Sequence, residues 1–147
     1  MKAYPHHYRV EATADLEGPV SLAADPLPTL ATAAPEEFDG PGDRWSPETL
    51  LVGAVADCFV LTFRAVANAS GLSWTRLRVG ATGTLDRADG GARFTAIELD
   101  AVLEIPIGGN EERALRVLDK AERGCLVTRS LICPSTLRAR VEADGSE

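Results

Sequence analysis

Two cysteines, Cys58 and Cys125, are the residues of this sequence best suited to chemistry. Cys58 lies in a long apolar stretch, residues 50–66, with the composition of a helix that is buried on most faces. Burial alone raises the pKa of a thiol and leaves it inert, so a reactive Cys58 requires a nearby cation or hydrogen-bond donor. The alternative is that Cys58 fills space as a small apolar residue, which is common for free cysteine.

Cys125 directly follows Gly124, a residue typical of a helix end. A thiol at a helix end can be brought against another element. Two such thiols suit a cycle in which one is oxidised to a sulfenic acid and the other condenses with it. The residues alone leave two interpretations open, a disulfide-forming pair or two unrelated core cysteines. Cys133, beside Pro134, is expected to fill space before the last strand.

Glu48 and Arg44 are the candidate charged partners of Cys58. Glu48 comes ten residues before Cys58, and a rise of about 1.5 Å per residue separates them by roughly 15 Å along a straight helix. A role for Glu48 at the thiol therefore requires a second subunit whose helix runs the opposite way. Otherwise Glu48 is a favourable charge at a helix start. Arg44, just before the helix, is favoured as the cation over Arg64 and Arg129.

The long helix is the element on which these residues depend. Ser46 is a suitable cap, Pro47 suits the first helical position, and Gly71 is a stop signal, which together predict a helix over residues 47 to about 69. Its apolar surface exceeds what one sheet can cover in a chain of 147 residues. We therefore predict an obligate homodimer with the two long helices at its centre.

The remaining pattern predicts strands and one more helix. Alternation of apolar and polar residues indicates strands, and residues 89–91 read as the turn of a long hairpin. The strands are predicted near residues 8–13, 20–23, 74–85, 97–105 and 137–142. Asn110 begins a second, amphipathic helix that ends at Gly124. The order predicts a single α+β domain over residues 1–147, with helices packed on antiparallel sheet.

Composition restricts the class of protein. A formal net charge of −7 without a cluster of basic residues argues against nucleic acid as a partner. No apolar run follows Met1, and Asp57 and Arg64 interrupt the central helix, which predicts a cytoplasmic protein without a signal peptide or membrane span. An odd number of cysteines disfavours a structural disulfide framework. The sequence lacks metal-ligand spacing, so no metal is expected.

Three segments carry a family resemblance. Ser-Pro-Glu-Thr-Leu-Leu at 46–51, Ala-Asp-Cys-Phe at 56–59 and Gly124-Cys125 together resemble the OsmC/Ohr family of osmotically induced and organic hydroperoxide resistance proteins. The likeness covers nearly the whole chain in element order. It implies an OsmC-like α+β fold, with antiparallel sheets wrapped around two long central helices in an intertwined homodimer. Its active sites are then expected at the subunit interface.

The resemblance also implies an activity, a thiol peroxidase that reduces organic hydroperoxides. Cys58 matches the family's peroxidatic cysteine, Cys125 its resolving cysteine and Glu48 its glutamate. Residues 15–19 in the first hairpin contain no arginine, so the catalytic arginine is expected at Arg44, in the loop before the long helix. Family members are recycled by dithiols such as lipoylated proteins, which implies no bound cofactor. The alternative is a non-catalytic module of the same fold that binds an apolar small molecule at the dimer interface.

Overall fold

The structure, a computed structural model, describes residues 1–145 and contains six β-strands and three α-helices in that range. The chain divides into two compact units, the first spanning Met1–Leu50 and the second beginning at Leu51. The prediction of a single domain over residues 1–147, the last two of which lie outside the described part, stays a prediction. The α+β class is confirmed.

The first unit contains a small antiparallel sheet. Its strands are β1 (Glu11–Thr13), β2 (Val20–Ala23) and β3 (Leu30–Thr32), in the order β1-β2-β3. The predicted hairpin return at residues 20–23 is therefore confirmed. A 3-10 turn over Glu36–Phe38 follows, and the backbone N–H of Ala33 donates to the carbonyl of Trp45 at 3.0 Å. That bond holds the end of the loop close to β3, immediately before the long helix.

The long helix, α1, spans Pro47–Ser70. Ser46 caps it as predicted. The backbone N–H of Thr49 donates to Ser46 Oγ at 3.1 Å, and the N–H of Ser46 donates to Thr49 Oγ1 at 2.9 Å. Gly71 adopts a positive φ of 64° just past the end, the left-handed conformation expected of a helix stop. Both predicted ends are confirmed to within one residue.

The second unit is built on a three-stranded sheet. Its strands are β4 (Arg76–Ala88), β5 (Gly91–Ile105) and β6 (Ser135–Ala143), in the order β4-β5-β6. β4 and β5 form the predicted antiparallel hairpin, whose turn residues Asp89 and Gly90 have positive φ angles of 52° and 82°. Positive φ at both central positions is the type I′ geometry that matches strand twist.

The prediction of an entirely antiparallel arrangement is wrong for β6, which pairs parallel to β5. The physical reason is the connection between them. The chain leaves β5 and passes through α2 (Glu111–Gly124) and α3 (Leu126–Arg129) before it enters β6. A helical crossover of this length returns the chain to the same end of the sheet, so the next strand runs in the same direction.

The core of the second unit lies between one face of β5 and the helices. α1 contributes a stripe of four buried residues at intervals of four, Val55, Phe59, Phe63 and Ala67. α2 contributes Ala114, Val117, Leu118 and Ala121, and Asn110 caps it by accepting the N–H of Arg113 at 2.9 Å. Cys125 comes four residues after Ala121 and is fully buried. It therefore continues the apolar stripe of α2 beyond the helix end.

The other faces of α1 are only partly covered by residues 1–145. Leu61 is 54% exposed, although it lies between the buried Phe59 and Phe63. By length and composition alone α1 could cross a membrane, a test that core helices of water-soluble proteins also pass. The expectation of burial on most faces is therefore not met by residues 1–145 alone. The predicted homodimer, which would supply the missing cover, stays a prediction.

Candidate active site

Two elements bring Cys58 and Cys125 together. Cys58 lies on α1 next to Phe59, at the edge of the buried stripe, and is half-buried. The end of α2 approaches the same part of α1, since a Cβ added at Gly124 would lie 3.4 Å from Thr62 Cγ2. Cys125, the next residue, thereby reaches the thiol of Cys58. Both cysteines are free thiols in this structure.

Hydrogen bonds make Cys58 the more acidic thiol. Burial raises its pKa, but the backbone of Val127, the thiol of Cys125, the hydroxyl of Thr62 and the backbone of Leu126 outweigh that effect. The net result is a lowered pKa. Thr62 Oγ1 lies 3.9 Å from Cys58 Sγ, one helical turn further along α1. Cys58 is therefore the thiol that loses its proton first.

The pKa of Cys125 is shifted in the opposite direction. Burial raises its pKa, the side chain and backbone of Thr128 oppose this, and the neighbouring Cys58 raises it further. The net pKa is raised, so Cys125 keeps its proton while Cys58 is a thiolate. Thr128 Oγ1 donates to Cys125 Sγ at 3.2 Å. The site thus holds one nucleophilic sulfur beside one protonated sulfur that donates to it.

This arrangement of two thiols is suited to oxidation of one sulfur followed by attack of the other. A half-buried thiolate can attack an electrophile that reaches it, and a thiol already in contact can then attack the oxidised sulfur. The structure therefore brings the side chains of the two sequence-selected cysteines into interaction, and the disulfide between them stays a prediction.

Sequence reasoning missed the groups that lower the pKa of Cys58. It required a cation or a hydrogen-bond donor and named only cations, whereas the structure supplies backbone donors from α3, a four-residue helix that was not predicted. Backbone amides carry no residue identity, so no sequence pattern announced them. Thr62 had a detectable signal, because a residue four positions after Cys58 on a helix shares its face.

Glu48 and Arg44 belong to the first unit. Arg44 is exposed in the loop before α1. Glu48 is half-buried, and its Oε2 is shielded from solvent without a hydrogen-bond partner among the described residues. Glu48 lines a cleft of about 560 Å³ whose other walls are mostly apolar, with Val20, Leu22 and Phe38 among them. Glu48 is thus a lone carboxylate in an apolar cleft.

The other residues considered from the sequence are one cysteine and three charged residues. Cys133 is buried and belongs to the core of the second unit, consistent with the space-filling role predicted for it. Asp57, Arg64 and Arg129 are exposed. Within residues 1–145, no group of three or more His, Cys, Asp or Glu side chains is placed to bind a metal ion.

The sequence is similar to known proteins over about two thirds of its length. Residues 40–140 match the family model for OsmC-like proteins. YmaD of Bacillus subtilis strain 168, an uncharacterized protein, is 29% identical over 100 residues, which are 66% of this chain and 67% of YmaD.

Two solved structures extend the likeness over nearly the whole chain. An OsmC-like protein of unknown function from Vibrio cholerae superposes with a TM-score of 0.83 at 14% identity, over 92% of this chain and 100% of that one. An organic hydroperoxide resistance protein, OsmC, from Legionella pneumophila gives 0.74 at 24% identity, over 95% and 98%. Likeness at such identities shows the fold, and the predicted OsmC-like α+β fold is confirmed.

Proposed function

Because this chain is a member of the OsmC-like family, whose model matches residues 40–140, we propose that it is a thiol peroxidase reducing alkyl or fatty-acid hydroperoxides to alcohols. The family, together with relatives named organic hydroperoxide resistance proteins, supports a redox role. The observation that carries the finer proposal is the contact between Cys58 and Cys125 with opposite pKa shifts. That asymmetry supports Cys58 as the nucleophile and Cys125 as the resolving thiol.

The first step consumes the hydroperoxide. The Cys58 thiolate attacks the terminal oxygen of the O–O bond, so that an S–O bond forms and the O–O bond breaks. The leaving alkoxide takes up a proton and departs as the alcohol. Cys58 is oxidised to a sulfenic acid, and the peroxide is reduced by two electrons. The lowered pKa of Cys58 raises the fraction of this sulfur that is present as the reactive thiolate.

The second step makes the disulfide. Cys125 loses its proton and attacks the Cys58 sulfur, an S–S bond forms, and the hydroxyl of the sulfenic acid leaves as water. An external dithiol, of the lipoyl type expected for the family, then reduces the disulfide by exchange. The cycle requires no bound metal or organic cofactor. We place the protein in the cytoplasm, where such dithiols are kept reduced.

A second subunit completes the site in this proposal. In a homodimer with α1 helices running in opposite directions, Glu48 and Arg44 of one subunit would approach Cys58 of the other. The uncovered apolar surface of α1 and the unpartnered Oε2 of Glu48 support this assembly. Arg44 would pair with Glu48 and orient the peroxide. The apolar cleft around Glu48 would hold the organic part of the substrate.

That cleft also favours one alternative function, a non-catalytic module that binds an apolar small molecule at the dimer interface. It has the mostly apolar lining and the small number of polar side chains, Glu48 and Thr32, that are typical of a ligand pocket. In this case the cysteines would be packing residues. Cys58→Ser discriminates between the two functions, because it abolishes peroxide turnover in the first and leaves ligand affinity largely unchanged in the second.

The peroxidase proposal is tested with purified protein and cumene hydroperoxide. We expect one equivalent to be consumed per site, with a Cys58–Cys125 disulfide found by mass spectrometry. Cys133→Ser is the matched control, since it removes a buried thiol that the mechanism does not use. With a dithiol donor present, alkyl hydroperoxide should turn over faster than hydrogen peroxide. Free thiols after exposure, with the peroxide unconsumed, would reject the peroxidase function.

A further inference from the structure

We propose that Thr128 is a positioning residue for disulfide formation, its hydroxyl holding the Cys125 sulfur in place and stabilising it as the attacking thiolate. This role rests on the peroxidase function proposed above. It concerns the second step of the cycle alone, the attack of Cys125 on oxidised Cys58.

The contacts of Thr128 support this role. Its Oγ1 lies 3.2 Å from Cys125 Sγ, within the range for a hydroxyl donating to sulfur. Cys125 is fully buried, so water cannot replace that donor. The backbone around the pair is also held, because Arg129 N–H donates to the Cys125 carbonyl at 3.1 Å and Leu131 N–H to the Thr128 carbonyl at 3.1 Å. The hydroxyl is therefore presented to the sulfur from a hydrogen-bonded turn.

The need for this donor changes during the cycle. Before oxidation, Cys125 keeps its proton and donates to the Cys58 thiolate. Once Cys58 carries a hydroxyl, it is no longer an anion, and Cys125 must itself become the nucleophile. Its proton joins the departing hydroxide as water, while the S–S bond replaces the S–O bond. The Thr128 hydroxyl then donates to a sulfur anion, and hydrogen bonds to charged groups are the stronger kind.

A second hydroxyl on the same turn provides a matched comparison. Ser130 Oγ donates to the backbone carbonyl of Leu126 at 2.9 Å, and within residues 1–145 it forms no hydrogen bond with either sulfur. Its loss tests whether weakening α3 is enough to slow the reaction. Loss of the Thr128 hydroxyl tests the contact with Cys125 itself.

The experiment is a single turnover with cumene hydroperoxide on Thr128→Val, Thr128→Ser and Ser130→Ala. We expect disulfide formation to slow about tenfold in Thr128→Val, the effect of losing one hydrogen bond to a charged group. Cys58 sulfenic acid should accumulate, trapped by dimedone and counted by mass spectrometry. Thr128→Ser keeps the donor and should remain within about twofold of wild type, as should Ser130→Ala, since surface changes have small effects.

The pH profile separates this role from a loss of structure. Wild-type disulfide formation should accelerate as Cys125 deprotonates, and Thr128→Val should move the midpoint to higher pH, a shift that loosened packing alone would not give. An unchanged rate and midpoint in Thr128→Val overturn the role of Thr128, as does equal slowing in Thr128→Ser. If wild-type protein consumes no peroxide, the peroxidase function fails as well, so the two failures are distinguishable.

Discussion

The thiol of Cys125 stabilises the thiolate of Cys58, although Cys125 follows α2 and Cys58 lies within α1. The pKa of Cys58 falls and that of Cys125 rises, so Cys58 loses its proton more easily than Cys125. The groups that lower the pKa of Cys58 are hydrogen-bond donors, namely backbone amides, a thiol and a hydroxyl. An arginine supplied by a second subunit would therefore act on a thiol that is already activated.

Removing Cys125 should make Cys58 less acidic. Cys125→Ala deletes one donor to the Cys58 thiolate, so the pH midpoint for alkylation of Cys58 by iodoacetamide should move upward, towards the ordinary thiol value of 9.0. The measurement is peptide-resolved mass spectrometry across a pH series. Cys133→Ala, which also empties a buried thiol position, should leave the midpoint unchanged. A Cys58 midpoint that stays fixed in Cys125→Ala contradicts the shared hydrogen bond.

The lowered pKa of Cys58 in the folded protein makes its stability depend on pH. Folding lowers the pKa of Cys58, so the native state binds fewer protons there than the unfolded state between the folded pKa and 9.0. The stabilisation is fully present above 9.0 and is lost as the pH falls through the folded pKa. Urea unfolding of wild type against Cys58→Ser should therefore show a stability difference that grows as the pH rises from the folded pKa of Cys58 to 9.0. A difference that shrinks as pH rises would contradict the assignment.

Gly83 is predicted to tolerate no side chain. A Cβ there would lie 2.6 Å from Val52 Cγ2 and 2.8 Å from Phe94 Cε1, which forces β4 away from α1. Gly83→Ala should lower the free energy of unfolding by about 1–3 kcal/mol, the range for overpacking. Gly80→Ala on the same strand is the control, because a Cβ there meets nothing within 4 Å. Equal unfolding midpoints in urea for the two variants would refute the close contact.

The sequence predicted the parts of the fold that a periodic pattern determines. The capped α1 and the β4–β5 hairpin depend on local signals, and both are confirmed. The parallel pairing of β6 was missed because strand direction depends on how the crossover packs, which alternation along one strand does not encode. α3 was missed because four residues are too few to show a helical period.

The candidate site, like the fold, was predicted only in part. Cys58 and Cys125 were found because their side chains are chemically distinctive. The donors that act on them were not found, since backbone amides look alike in any sequence and Thr128 resembles any surface threonine. A site whose electrostatics come from the backbone is visible only once the chain is folded.

The two faces of α1 should respond differently to truncation. Phe63 is fully buried and packs edge-on against Trp74, with ring centroids 5.1 Å apart. Phe63→Ala should therefore lower the free energy of unfolding by about 3–5 kcal/mol, measured in urea by tryptophan fluorescence. Leu61→Ala is the comparison on the exposed face. If a second subunit covers Leu61, the urea midpoints of both wild type and Leu61→Ala should fall as the protein is diluted, and midpoints that do not depend on concentration argue against the homodimer.

The proposed sharing of the site between subunits makes the sharpest prediction. Cys58→Ser lacks the nucleophile and Glu48→Gln lacks the carboxylate, so each homodimer should have little peroxidase activity. A heterodimer of the two variants contains one intact site if Glu48 acts on the Cys58 of the other subunit. It contains none if Glu48 acts within its own chain, because one chain then lacks Glu48 and the other lacks Cys58.

Mixing the two variants under conditions of subunit exchange distinguishes these cases. Random pairing makes half of the dimers mixed, and each has one working site of two, so activity should recover to about a quarter of the wild-type value. Arg44→Ala mixed with Cys58→Ser should recover in the same way if Arg44 accompanies Glu48. Mass spectrometry of the mixture must show mixed dimers. If the site is shared between subunits, every mixed dimer carries one complete set of Cys58, Cys125, Glu48 and Arg44. Mixed dimers that do not recover peroxide consumption therefore rule out a shared site.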